Sequence, residues 1–92
     1  MINIKTSKAY KKNFKKLSKS GNFNKKVLIE ILEKIISDTK LEEKRKDHQL
    51  SGPLAHLREC HIESDLLLVY EFDKDNNTLH LANIGSHSDL FE

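Results

Sequence analysis

Apolar residues recur at two different spacings along the chain, and each spacing predicts a different kind of element. Ile2 and Ile4 alternate with polar residues, which predicts a short first strand. The next apolar residues, Tyr10, Phe14 and Leu17, recur at spacings of four and three. This period predicts an amphipathic helix whose lysines lie on the outer face.

Local signals mark the ends of this helix and the presence of a second one. Thr6 or Ser7 is suited to cap the start, and Gly21 is suited to the left-handed conformation that ends it. A second helix is predicted over residues 24–37. Its apolar stripe consists of Val27, Leu28, Ile31, Leu32, Ile35 and Ile36. Because the connection is so short, the two helices are expected to form an antiparallel hairpin.

The period changes to two after the break at Ser51-Gly52-Pro53. Strands are predicted over residues 54–63, 66–73 and 78–84, and the tight connections between them imply antiparallel pairing. The element order is therefore strand, two helices and three strands (βααβββ). This order predicts an α+β fold in which a two-helix hairpin packs on a small, mainly antiparallel sheet.

Length and composition point to one globular domain spanning residues 1–92. Hydrophobic residues make up 37% and charged residues 33%, a balance that disfavours disorder. Cys60 is the only cysteine, so the chain cannot form an internal disulfide and has no need of an oxidising compartment. We find no secretory signal and no apolar run of membrane-spanning length, which predicts a cytoplasmic protein without a membrane partner.

Charge is distributed unevenly. Residues 1–26 contain nine lysines and no acid, whereas the remaining residues hold seven basic and all fourteen acidic side chains. This asymmetry predicts that the first helix faces a polyanion or an acidic partner. The alternative is an ordinary solvated helix face. If the functional interpretation holds, the lysines that contact RNA are Lys8, Lys11, Lys12 and Lys15.

Three of the five histidines lie beside acidic residues or turns: His48, His61 and His87. Glu59 and His61 are two positions apart on one strand, so they point to the same face of the sheet. Asp65 follows in the next turn. Imidazole titrates at about 6.5, which suits proton transfer near neutral pH.

These residue types suit RNA cleavage without a metal. A 2′-hydroxyl must lose a proton, the departing 5′-oxygen must gain one, and an aromatic such as Phe91 can stack on an extruded base. The same histidines, with Glu59 or Asp65, could instead bind zinc. No His-x-x-x-His pair occurs, so the sequence supports this alternative only weakly.

Three blocks of sequence resemble one known family. They are Asp47-His48-Gln49-Leu50-Ser51-Gly52, the stretch from Leu57-Arg58-Glu59-Cys60-His61 to Tyr70, and Gly85-Ser86-His87-Ser88-Asp89-Leu90-Phe91. Together they resemble the YafQ-like branch of the RelE superfamily, the toxins of type II toxin–antitoxin systems. The resemblance implies a RelE-like fold and an mRNA interferase that acts on the ribosome without a cofactor. It also implies a cognate antitoxin, through which any contact with operator DNA would be made.

The resemblance implies roles at matching positions. His87 is expected to be the main proton-transfer residue, and His48 a base or an acid. Phe91 matches the aromatic that positions the base. The other catalytic positions implied are Glu59, His61 and Asp65.

The sequence also departs from the family pattern. Asn83 stands where the family often has an arginine, so it can hydrogen-bond to RNA but brings no charge. Leu66 stands where the family often has a tryptophan. Arg58 is a further candidate RNA-binding residue, although it belongs to the opposite face of its strand. These departures leave open a second function, that of a weak or inactive toxin homologue that only binds the ribosome or its antitoxin.

Overall fold

The computed structural model describes residues 2–21, 23–63 and 65–91, without the side chain of Phe91. The strands in these ranges are β1 (Asn3–Thr6), β2 (His48–Gln49), β3 (Arg58–Glu63), β4 (Leu66–Asp73) and β5 (Thr78–Gly85). The helices are α1 (Lys8–Ser20), α2 (Lys25–Ile36) and α3 (His87–Phe91). The described strands form one sheet in the order β1-β5-β4-β3-β2, in which β1 pairs parallel to β5 and the other pairs are antiparallel. The predicted α+β class is confirmed.

Local capping sets the limits of the two long helices, and Ser7 and Gly21 take the roles at α1 that the sequence predicts. The Ser7 hydroxyl accepts a hydrogen bond from the Tyr10 amide at the start of α1. Gly21 follows α1 with a φ of 81°, in the left-handed region that favours glycine. The side chain of Asn24 caps α2 by accepting from the Lys26 amide.

Both helices contribute to one apolar core, in which α1 packs against β5 and α2 packs against β3. The side chains of this core that lie deepest are Ile31, Cys60, Ile62, Leu68, Leu79 and Ile84. Burial raises the pKa of the Cys60 thiol to about 12, so this thiol stays protonated at neutral pH. Cys60 is therefore a core residue and is not suited to act as a nucleophile.

The structure differs from the predicted elements at three places. The strand predicted from residue 54 begins at Arg58, because residues 52–57 form tight turns instead. The two-residue strand β2 and the short helix α3 were not predicted, since each is too short for a period to be visible. No helix in the described part of the chain is long and apolar enough to cross a membrane.

Candidate active site

A histidine and a buried carboxylate face each other at one edge of the sheet. His48 on β2 pairs with Glu59 on β3, and its Nε2 lies 3.8 Å from Glu59 Oε1. The Nδ1 atom of His48 lies 2.7 Å from the carbonyl oxygen of Lys46, to which an Nδ1–H donates. That bond turns Nε2 toward Glu59. The Glu59 side chain is 6% exposed and that of His48 is 52% exposed, so the imidazole is the member of the pair open to a ligand.

Strand register extends this pair into two rows on one face of the sheet. Glu59 lies opposite Val69, and Val69 lies opposite Asn83. In the neighbouring row His61 lies opposite Leu67, which lies opposite Gly85. Residues directly opposite one another project to the same face, and so do residues two apart on one strand. The face that carries His48 and Glu59 therefore also carries His61 and ends at Gly85.

Leu67 and Val69 provide an apolar floor between the polar ends of these rows. Both are buried, at 1% and 5% exposure, yet neither belongs to the core beneath the helices. Because β4 separates β3 from β5, and neighbouring strands are about 4.8 Å apart, the His61 and Gly85 backbones are separated by roughly 10 Å. This separation leaves room for a phosphodiester between the histidine of β3 and the residues that follow β5.

His87 is held at the end of β5 by a reciprocal cap. The Ser86 amide donates to Asp89 Oδ2 at 3.1 Å, and the Asp89 amide donates to the Ser86 hydroxyl at 3.2 Å. The bond from the Ser86 amide holds the pKa of Asp89 below its usual range, and Lys16 of α1 adds to this effect. This capping box fixes the first turn of α3, whose first residue is the exposed His87.

The chain immediately before β2 is anchored on the opposite face of the sheet. The Tyr70 hydroxyl donates to Asp47 Oδ1 at 2.7 Å, and Arg58 Nε lies 3.3 Å from the same oxygen. The hydrogen bond to Asp47 raises the pKa of Arg58. Burial and the same carboxylate raise the pKa of Tyr70, which therefore remains a hydroxyl donor. Because β2 has only two residues, these bonds are a major constraint on the position of His48.

Replacing Tyr70 by phenylalanine is expected to lower the free energy of unfolding by about 1–2 kcal/mol, because the Asp47 carboxylate loses the shorter of its two hydrogen bonds in a partly buried site. Amide hydrogen exchange of His48 and Gln49 should become faster. Tyr10→Phe is the matched control, since it removes a buried hydroxyl from α1 rather than from beside β2. Equal exchange rates in wild type and Tyr70→Phe would show that Asp47 does not anchor this strand.

Asn83, the residue in place of the family's arginine, is held by the first helix. Its Oδ1 accepts from Asn13 Nδ2 at 2.7 Å and from the Ile84 amide at 2.9 Å. Helix α1 therefore borders the site at this end of the sheet, and Lys16, one turn beyond Asn13, acts on Asp89 of α3. No local pattern in the sequence singles out Asn13 or Lys16, because their closeness to the site depends on how α1 packs along β5.

The remaining predicted site residues are not all brought together. Arg58 lies on the opposite face, bound to Asp47, and its predicted contact with RNA stays a prediction. Asp65 is exposed in the turn immediately before β4, and no described contact joins it to Glu59. The Phe91 side chain lies outside the described part of the structure. The four predicted lysines of α1 are all exposed: Lys8, Lys11, Lys12 and Lys15.

The zinc alternative can be examined in the same geometry. His48 and Glu59 approach each other, but among the described residues no third ligand completes a site around them. Within residues 2–21, 23–63 and 65–91, no group of three or more histidine, cysteine, aspartate or glutamate side chains is arranged to hold a metal ion. The donor set as placed does not fit a metal, so we derive no catalytic step through one.

Comparison with known proteins identifies related chains that match this one over nearly the whole of both sequences. The family described as the bacterial toxin of type II toxin–antitoxin systems, YafQ, matches residues 2–92. A metal-bound toxin from Helicobacter pylori is 45% identical, with 99% of this chain and 100% of that chain covered and a TM-score of 0.88. YafQ from E. coli strain BL21(DE3) is 25% identical with complete coverage of both chains (100% each) and a TM-score of 0.82. A chain of the E. coli DinJ–YafQ complex gives the same identity of 25%, coverage of 100% of each chain and TM-score of 0.82.

Proposed function

This chain belongs to the YafQ family of toxins of type II toxin–antitoxin systems, and we propose that it acts as an endoribonuclease that cleaves mRNA on the ribosome. In the proposed reaction the 2′-hydroxyl attacks the adjacent phosphorus, leaving a 2′,3′-cyclic phosphate and a 5′-hydroxyl end. The observation that carries the proposal is the shared face of His48, Glu59 and His61, with His87 just beyond the end of β5.

Two proton transfers are needed, and the site offers imidazoles on both sides of its apolar floor. We assign the main transfer to His87, which is exposed and fixed by the cap at Ser86 and Asp89. His48 serves as the second acid or base, oriented by the Lys46 carbonyl and by Glu59. His61 and Asp65 assist from the end of β3, and Phe91 stacks on the base at the cleavage site.

The partners proposed for this chain follow from its family. The structure of the E. coli DinJ–YafQ complex shows that YafQ has a cognate antitoxin, and we propose such a partner here. Operator DNA would then be contacted through the antitoxin. The exposed lysines of α1 are proposed to bind phosphates of ribosomal RNA or mRNA. A cytoplasmic location is proposed with this role.

One observation favours a second function, that of a binding protein without catalysis. The row containing Glu59 ends at Asn83, where an arginine would stabilise charge on the phosphorane. The side-chain oxygen Oδ1 of Asn83 accepts hydrogen bonds from Asn13 and from the Ile84 backbone amide. Only the side-chain N–H groups of Asn83 can therefore donate to a phosphate oxygen. Such a protein would occupy the ribosome or its antitoxin and leave RNA intact.

Incubating the purified protein with RNA, with and without ribosomes and with and without EDTA, tests the proposal. We expect cleavage that survives EDTA and leaves cyclic phosphate ends, with ribosomes raising the rate. Intact RNA under all conditions would favour the binding protein. Because the related H. pylori toxin is metal-bound, the EDTA comparison is essential, and loss of cleavage in EDTA would overturn the metal-independent mechanism.

A further inference from the structure

A cationic cleft lies directly beside His61, at the outer edge of the candidate site. It has a volume of about 390 Å³ and opens where β3 meets the 3₁₀ turn Glu43–Arg45. Its lining consists of Lys44, Arg45, Lys46, His61, Ile62 and Glu63. We propose that this cleft binds a phosphate of single-stranded RNA next to the scissile one. The inference rests on the proposed function and adds a phosphate-binding site to it.

The cleft is built by a bulge in β3. The pairing of β3 with β4 shifts register between His61 and Glu63, which leaves Ile62 without a partner in the ladder. The Ile62 carbonyl instead accepts a hydrogen bond of 2.7 Å from Arg45 Nη1. The Arg45 side chain is only 12% exposed. Arg45 therefore acts mainly as a tether that holds the 3₁₀ turn against β3.

Lys46 connects this turn to the catalytic face. Its backbone has a φ of 50°, a left-handed conformation that reverses the chain before β2. Its carbonyl oxygen accepts from His48 Nδ1, while its side chain lines the cleft together with His61. The Lys46 backbone is thus hydrogen-bonded to His48, and the same residue lines the cleft beside His61.

The charges of the neighbouring side chains leave Lys46 as the available cation. Glu42 lies 3.6–3.7 Å from Lys34, Lys44 and Arg45, and the positive charge of Lys44 holds the pKa of Glu42 below its usual range. Among the described residues, no carboxylate lies within ion-pair distance of Lys46. The cleft has three cations against one carboxylate, that of Glu63. This balance favours a phosphate.

Binding of a short 2′-O-methyl oligoribonucleotide containing all four bases tests the inference without requiring cleavage. Lys46→Gln should weaken binding about five- to tenfold at low salt and reduce the slope of log K against log salt by about 0.7, the value for one phosphate contact on a single strand. Lys5→Gln, at the exposed surface of β1 on the far edge of the sheet, removes the same charge and should leave the slope unchanged.

An NMR measurement separates a local contact from a general charge effect. The oligonucleotide should shift the His61 imidazole resonances in the wild type and shift them much less in Lys46→Gln. Equal salt slopes for Lys46→Gln and Lys5→Gln, or an unchanged His61 response, would overturn the proposed site. If binding behaves as expected but unmodified RNA stays intact, the cleft is supported and the endoribonuclease proposal fails.

Discussion

Replacing His87 by alanine is expected to lower the rate of RNA cleavage by roughly 10²–10⁴-fold, the usual contribution of a general acid or base. The protein should remain folded, because His87 is exposed and the cap between Ser86 and Asp89 does not use its imidazole. Cleavage is measured as the appearance of cyclic phosphate ends in EDTA, and folding as the midpoint of thermal unfolding. Binding of the 2′-O-methyl oligonucleotide should change much less than cleavage.

The matched control for His87→Ala is His56→Ala, which removes another exposed imidazole from the turns that precede β3. This control should cleave RNA at the wild-type rate. A His87→Ala protein that retains full cleavage would overturn the assignment of the main proton transfer to His87. The next variant to measure would then be His48→Ala, since His48 has the other exposed and oriented imidazole.

Replacing Gly85 by alanine is expected to impair stability and cleavage together. Gly85 has a φ of 153°, which side chains rarely adopt, and a Cβ there would lie 3.0 Å from both Cβ and Oδ2 of Asp89. Relieving that tight contact requires Asp89 to shift by a few tenths of an ångström, which weakens the cap that positions His87. We expect a loss of about 1–3 kcal/mol in the free energy of unfolding, as for other strained backbone positions, and a large fall in cleavage.

Gly21→Ala distinguishes backbone strain from displacement of the site. Gly21 also has a positive φ, of 81°, but an added Cβ there meets no atom within 4 Å. This variant should lose about 1–2 kcal/mol of stability, the usual cost of a left-handed residue, and keep wild-type cleavage. If Gly85→Ala matches Gly21→Ala in both measurements, Gly85 serves only the backbone and does not position His87.

One relative bears on how broadly the proposed mechanism applies. The H. pylori toxin is metal-bound, whereas the described part of this chain places no metal-ligand group of three or more residues. The histidines and carboxylates proposed for proton transfer belong to residue types that also bind metals, so added zinc or copper is expected to compete with protons for His48 and Glu59. Cleavage assays should therefore compare EDTA-treated protein with protein exposed to each metal.

Local signals in the sequence were enough to predict most of the secondary structure. The caps at Ser7 and Asn24 and the left-handed Gly21 act within one helical turn, so the limits of α1 and α2 can be predicted from the neighbouring residues. The period of two likewise predicted β4 and β5. The short elements β2 and α3 were not predicted, because two residues of a strand and five of a helix are too few to show a repeating apolar pattern.

The candidate site shows where prediction from the sequence stops. The alternation of β3 was sufficient to place Glu59 and His61 on one face, and the family resemblance identified His48 and His87. Pairing of β2 with β3 then set His48 against Glu59, a consequence of strand register. The contact between Asn13 and Asn83 joins residues 70 positions apart.

Contacts of this kind depend on how the strands pair and how α1 packs along β5. The cleft beside His61 likewise depends on the bulge at Ile62, for which the sequence has no local signal. Residue types and element limits therefore follow from short-range preferences. The assembly of the site follows from non-local packing, because its free energy is gained only when the whole sheet has formed.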